Sequence, residues 1–274
     1  MIKGPLLLVT IAMTFILINL GGYVHNTASS LACPDWPLCY GQVMPEMTGG
    51  VLIEHSHRLL ASLVGFCTIL ISILFFRTEH RKVALFALVL VIVQGVLGGL
   101  TVIYKLPPLI STAHLGIAMV FFCCLIFLYQ RHKNKNLSSP PFWKLATVLI
   151  YFQILLGALI RHLGGGTACG LGADNMILCQ GSLWPHSNLA ALHLFHRFLG
   201  IIAGLLIVAM ATIAANRGRL LYGPFLMSLV LLQIWLGLEI INTGLKPLVT
   251  MLHLGGATLL LGLLWKENFT PRSP

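Results

Sequence analysis

This 274-residue chain is short of charge. Asp, Glu, Lys and Arg make up 9% of it, and only seven residues are acidic. With 57% hydrophobic residues it has too few polar groups to clothe a soluble fold, so the sequence predicts an integral membrane protein. Its formal net charge of +10 forms no basic stripe of the kind nucleic acid requires. The bases are scattered among short loops, where the positive-inside rule accounts for them and no nucleic-acid partner is expected. A cleavage site is missing as well: only Lys3 precedes the first apolar run and no small-residue motif follows it, so that run is expected to be a retained spanning helix. Nor is there a Cys-x-x-Cys pair, which argues against a membrane thiol oxidoreductase as the basic function.

What is present is a set of eight apolar segments, at about 5–24, 53–76, 83–103, 110–130, 143–161, 190–214, 223–243 and 247–265. Each is long enough for a hydrocarbon layer about 30 Å thick, which takes roughly 17–25 helical residues. Twelve Lys and Arg residues fall in loops on one side and only Lys105, Arg161 and Lys246 on the other, so both termini are expected in the cytoplasm. Arg58 and Arg197 are read into the first turns of helices 2 and 6.

The chain repeats itself. A step of 139 residues carries Glu54-His55-Ser56-His57-Arg58 onto His193-Leu194-Phe195-His196-Arg197, His114-Leu115-Gly116 onto His253-Leu254-Gly255, and Gln94 and Gly98 onto Gln233 and Gly237. Four helices per half insert with one orientation. The expected fold is therefore all-α: a polytopic membrane protein of two duplicated four-helix bundles, 1–135 and 136–274, related by a pseudo-two-fold axis along the membrane normal. A basic cytoplasmic linker around Arg131 to Pro141 joins them.

The long loops at about 25–52 and 162–189 repeat at a step of 140, with Leu38-Cys39-Tyr40-Gly41 and Pro45 recurring as Leu178-Cys179-Gln180-Gly181 and Pro185. Of seven cysteines, Cys67, Cys123 and Cys124 lie in apolar runs, while Cys33, Cys39, Cys169 and Cys179 lie in these loops as pairs. In an oxidising compartment they would form two disulfides; in the cytosol a metal or redox role would fit better. The first cysteine sits six residues before its mate in one loop and ten in the other, which suits a staple in each half better than two identical metal sites.

His57, His114, His196 and His253 share one depth near the extracytoplasmic helix ends. Ionisable side chains inside spanning helices are costly in lipid and usually face a bundle interior. Two imidazoles from facing helices suit heme, whose iron takes axial histidines while the ring fills the space between helices. Zinc fits less well, because no acidic or thiolate ligand accompanies the histidines of the second half. Arg58 and Arg197, each one residue past a histidine, are expected as propionate partners. Glu54 lies three residues before His57 on the same helix face and is expected to project toward whatever His57 holds. A carboxyl there can take up and return a proton during a reaction. Its counterpart His193 cannot supply a carboxylate and is read as a neighbour of the ligand His196. The first half is therefore expected to transform a substrate and the second to hold a permanent redox cofactor. His55 is read as interfacial, and His25, His80, His132, His162 and His186 as loop residues facing solvent. Glu239 in helix 7 stands opposite Leu100 and is assigned no role.

The run Leu31-Ala32-Cys33-Pro34-Asp35-Trp36-Pro37-Leu38-Cys39-Tyr40-Gly41, followed by Glu54-x-x-His57-Arg58, closely resembles the heme A synthase family of bacterial and mitochondrial inner membranes. The resemblance spans all eight helices. It implies oxidation of the C8 methyl of heme O to a formyl group by successive hydroxylations, giving heme A for terminal oxidases. It further implies substrate heme at His57 and His114, a heme B cofactor held by His196 and His253, an important glutamate at Glu54, and a cysteine pair at Cys33 and Cys39. The implied partners are heme O, membrane lipid, the synthase that makes heme O, an electron donor and terminal-oxidase assembly factors. The implied location is a bacterial inner membrane with both heme sites toward the outside.

Two other readings compete. A di-heme b-type electron-transfer protein or quinone oxidoreductase would also use two bis-histidine sites, but the contrast of Glu54 with His193 argues against two equivalent relays. A transporter would place polar or broken helices at the midplane, which here is Leu, Ile, Val and Phe.

Overall fold

A computed structural model describes every residue except 1, 134–136, 139–140, 173–174, 176–177, 217–220 and 272–274. Parts of the expected linker, and Lys135, Arg217, Arg219 and Arg272 of the positive-side count, lie outside the described residues.

Eight helices form where the apolar runs stand: α1 (Lys3–Asn26), α2 (Gly49–Phe75), α3 (Arg81–Ile103), α4 (Pro108–Lys133), α5 (Pro141–His162), α6 (Asn188–Asn216), α7 (Tyr222–Asn242) and α8 (Pro247–Glu267). All eight are long and apolar enough to cross a membrane. Their outward faces keep large side chains such as Phe66, Ile73, Ile92 and Leu205 exposed, a surface that lipid can cover and water cannot. Threonine hydroxyls inside the helices donate to the carbonyl one turn back, as at Thr14 and Thr68 (2.7 and 2.8 Å), so these hydroxyl hydrogens are not stranded in an apolar setting.

One expected boundary shifts. α2 begins at Gly49, where a positive φ of +50° turns the chain into the helix. Glu54 and Arg58 therefore lie in the second and third turns, deeper than the sequence suggested, and Glu54 does not cap the helix. Three histidines read as loop residues belong to helix ends instead. His25 closes α1, His162 closes α5, and His132, in the last turn of α4, packs edge-on against Phe75 at 6.0 Å.

The chain divides into two compact units, residues 1–139 with 265–274, and residues 140–264. In the first, α1 and α3 each pack on both α2 and α4, which closes a four-helix bundle. Its apolar core joins Leu7, Val64, Ile71, Phe75, Ala87, Phe121, Leu125 and Leu128. Every one of these lies toward the end of the bundle away from the long loop. The Ser72 hydroxyl ties α2 to α3 there, donating to the Ala84 carbonyl at 3.0 Å. In the second unit α6 packs on α5 and α7, and a Cβ on Gly256 of α8 would run into the Gln233 amide of α7. Its buried Ile207, Met210, Leu226, Leu229 and Leu261 lie toward the end away from the loop, while Leu156, Ile160, Leu236 and Ile241 are buried toward the loop end.

The duplication recurs in backbone detail. The turn after α3 carries Lys105 and Leu106 at φ +55° and +62°, and the turn after α7 carries Gly244 and Leu245 at +68° and +65°. Both close on the same hydrogen bond, Leu106 N to Thr101 O (2.7 Å) and Leu245 N to Ile240 O (2.8 Å).

Candidate heme sites and the loops that cover them

His57 and His196 are each the ninth residue of their helix, His114 and His253 each the seventh. At 1.5 Å rise per residue they sit roughly 9–12 Å in from the loop end. Within the first unit His57 and His114 are close enough for their charges to interact, and within the second so are His196 and His253. The structure thus brings the four sequence-predicted histidines together as two pairs, one per unit.

Each ring is backed by a glycine of a neighbouring helix. A Cβ added at Gly21 would lie 3.0 Å from His57 Nε2, at Gly98 3.5 Å from His114 Cε1, at Gly157 2.9 Å from His196 Cε1, and at Gly237 3.4 Å from His253 Cε1. No side chain on the neighbouring helix stands between ring and backbone. The polar interior is also unfinished: Nδ1 of His114, His196 and His253 and Nε2 of both Gln94 and Gln233 are buried with no hydrogen-bond partner. Buried polar atoms are normally paired. Paired imidazoles on facing helices, glycine-backed and with orphaned polar atoms beside them, are a donor set that fits a heme iron with its ring between the helices.

Above the first pair, the Cys33–Cys39 loop is a disulfide-closed structure bolted to α2. Arg58 directs its terminal nitrogens at the carbonyls of Asp35 (2.7 Å), Leu38 (2.6 Å) and Cys33 (3.3 Å) and at Glu54 Oε1 (2.5 Å). Glu54, 4% exposed, accepts the Cys33 amide on its other oxygen at 2.8 Å. Asp35 accepts the amides of Tyr40 (2.7 Å) and Gly41 (2.8 Å). The Gly41 amide above all, with the Tyr40 amide and the Arg58 charge, holds the Asp35 carboxyl below the usual carboxylate range against a smaller desolvation effect. His55 is not interfacial. It is 4% exposed, tucked under the loop with Nε2 on the Val43 carbonyl at 2.9 Å.

The second loop repeats this scheme with other residues. Cys169 and Cys179 form its disulfide. Arg197 donates to the carbonyls of Asn175 (2.7 Å) and Leu178 (3.3 Å), and the Asn175 side chain accepts the Gln180 amide at 3.1 Å. Where Glu54 stands in the first half, buried His193 lies within electrostatic reach of Arg197, His196 and the Gly165 main chain. Here the disulfide packs into an apolar cluster with Ala190 and Leu194.

The family described as cytochrome oxidase assembly protein, COX15-CtaA, matches residues 5–265. The chain belongs to the COX15-CtaA family. Similar proteins include a heme A synthase of Exiguobacterium sp., 30% identical over 89% of this chain and 85% of its own length. A heme A synthase of Halalkalibacterium halodurans is 28% identical over 90% of this chain and 89% of its own. One of Shewanella oneidensis is 26% identical over 96% and 95%.

Membership of COX15-CtaA places the paired imidazoles in a context of heme chemistry. Several working parts of this COX15-CtaA chain were not assigned from sequence: the backing glycines Gly21 and Gly157, the loop clamp of Asp35 and Asn175, and the carbonyl targets of the two arginines. The 140-residue step, which matches Asp35 to Asn175, is the signal that could have found the clamp. Gly21 and Gly157 do not follow the 139-residue step of the helices, at which their counterparts are Ile160 and Ile18.

Proposed function

We propose that this protein is a heme A synthase of a bacterial inner membrane, oxidising the C8 methyl of heme O to a formyl group by successive hydroxylations. The first unit takes heme O between His57 and His114, and the second keeps heme B between His196 and His253. Both termini face the cytoplasm, and both sites lie toward the outer side. The observation that carries the reading is an asymmetry within a duplicated frame: matching imidazole pairs and matching loops, with a carboxylate at position 54 and an imidazole at 193.

When bound, heme B supplies one-electron transfer. The chain's own residues do the rest. His57 with His114, and His196 with His253, would hold the two hemes, and the glycines beside the imidazole rings let those rings sit close to the neighbouring backbone. The stapled loops lie over the ends of the bundles and limit the entry of water. Glu54 is the group that moves a proton at the substrate methyl, and Arg58 and the Cys33 amide aim its carboxylate. To exchange that proton Glu54 must loosen one of these two bonds, so loop and carboxylate act together. His193 steadies His196 and moves no proton at a substrate. Arg58 and Arg197 would meet the propionates, and each also ties down its loop by donating to backbone carbonyls. Heme O arrives from the enzyme that makes it, and heme A leaves toward terminal-oxidase assembly. A relay with two permanent heme B groups draws no support from relatives that are heme A synthases.

The test is pigment extraction with mass identification from cells that make heme O, expressing the wild type or Glu54→Ala. Heme A should vanish from the variant while heme B stays bound; undiminished heme A would remove Glu54 from the chemistry.

A further inference from the structure

The first disulfide differs from the second in what stands beside it. The sulfurs of Cys33 and Cys39 and a ring nitrogen of His55 all lie within 4.8 Å of one another. Both cysteines are completely buried and His55 is 4% exposed. Its Nε2 sits 2.9 Å from the Val43 carbonyl, which can only accept, so the tautomer assigned from this contact puts the proton on Nε2. Nδ1 then carries a lone pair, and it is buried with no hydrogen-bond partner. An imidazole oriented by a carbonyl on one nitrogen and bare on the other is the usual state of a metal-ligating histidine. Among the described residues the second disulfide joins no such group: Leu194 occupies the position that matches His55, and the apolar cluster around Cys169 and Cys179 includes Ala168, Ala190 and Leu194. Glu54 and Arg58, the nearest charged groups on α2, are committed to each other and to the loop backbone.

We propose that in its dithiol form this loop is a binding site for one thiophilic d10 cation, Cu(I), held by the thiolates of Cys33 and Cys39 and by Nδ1 of His55. Opening the disulfide takes two electrons and two protons from a dithiol reductant, which leaves as its own disulfide. Cation entry then displaces the two thiol protons. Soft thiolates select Cu(I) or Zn(II), and the ligand count decides between them. Zinc sites are almost always four-coordinate, whereas this pocket offers three donors with both sulfurs sealed from solvent. The disulfide form has no thiolate to offer, so the site exists only while the pair is reduced.

The experiment titrates purified full-length protein in detergent with Cu(I), anaerobically and against a chromophoric Cu(I) chelator, after phosphine reduction or without it. The reduced wild type should bind one more equivalent than the oxidised form, a comparison that needs no substitution. That equivalent should be lost in Cys33→Ser/Cys39→Ser and kept in Cys169→Ser/Cys179→Ser. His55→Leu, which copies the second half, should retain the thiols yet weaken binding by at least about tenfold. Equal copper binding by the reduced and oxidised wild type, or an unchanged affinity in His55→Leu with far-ultraviolet circular dichroism intact, would overturn the site. Displacement of the extra equivalent by a modest excess of zinc would overturn its assignment to three-coordinate Cu(I).

Discussion

The two halves of this protein share a frame and differ in a few side chains. Each half places one histidine ninth and one seventh in its even-numbered helices. Each covers them with a disulfide-closed loop whose backbone carbonyls are gripped by an arginine. The first half then adds charge and chemistry where the second has neutral substitutes: Glu54 against His193, His55 against Leu194, Asp35 against Asn175. In a duplicated scaffold that keeps its geometry, the exchanged groups, rather than the frame, are where the halves can differ in chemistry. The sharpest way to break the comparison is therefore to remove or exchange those groups half by half.

Removing a histidine should have the largest effect. His196→Ala or His253→Ala should strip heme B from the purified protein and abolish heme A formation with it, while His57→Ala or His114→Ala should abolish heme A formation and leave the heme B spectrum in place. Difference spectra and extracted pigments read both outcomes. Loss of heme B from the first-half variants alone would reverse the assignment of the sites.

Next in size is the exchange of the acid itself. Glu54→His gives the first half the residue of the second. General acid-base groups contribute about 10²–10⁴-fold, so heme A formation should fall by about that factor with heme B content unchanged. A loss of less than about fivefold would make the carboxylate a fastener for the loop and nothing more.

A smaller effect separates the glycines. In Gly157→Ala the new Cβ would stand 2.9 Å from His196 Cε1, so the ring must shift, whereas in Gly98→Ala the distance to His114 Cε1 is an ordinary 3.5 Å. Overpacking costs about 1–3 kcal/mol, enough to lower heme B affinity about tenfold in Gly157→Ala. Gly98→Ala should leave heme A yield within about twofold of wild type. Equal tolerance of both changes would mean that close backing by glycine does not set ring position.

Much of this was legible in the sequence, for identifiable reasons. Spanning helices announce themselves because lipid demands about 20 apolar residues in a row. The histidine pairs stand out because an imidazole is costly in lipid, so its recurrence at one depth in four apolar helices marks a shared interior. The depth of the Glu54 motif was misjudged because Gly49 and Gly50 read as loop, while a left-handed Gly49 starts α2 four residues before the apolar run. His55 looked interfacial because helical periodicity gives the direction of a side chain and says nothing of the loop that folds over it. The targets of Arg58 are backbone carbonyls, which leave no residue-type signal, so the arginine was legible and its partners were not.

The smallest expected effect concerns pH. Asp35 has its pKa depressed, chiefly by the Gly41 amide, in the folded loop. A carboxylate with a depressed folded pKa stabilises the fold at all pH values above its unfolded pKa, near 3.9, and loses that contribution as pH falls through the folded value. Asn175, which accepts the Gln180 amide in the same position of the second loop, does not titrate in this range. Acidification from pH 7 should therefore leave both loops unchanged until about pH 4 and then loosen the first ahead of the second. Amide exchange of Tyr40 and Gly41 against Gln180 and Gly181, each corrected for its intrinsic rate at the same pH, measures this. Asp35→Asn keeps one acceptor and should flatten the acid response of the first loop to match the second. If the wild-type loops lose protection together, the clamp rests on the arginines and disulfides alone, and the Asp35 to Asn175 exchange has no consequence for stability.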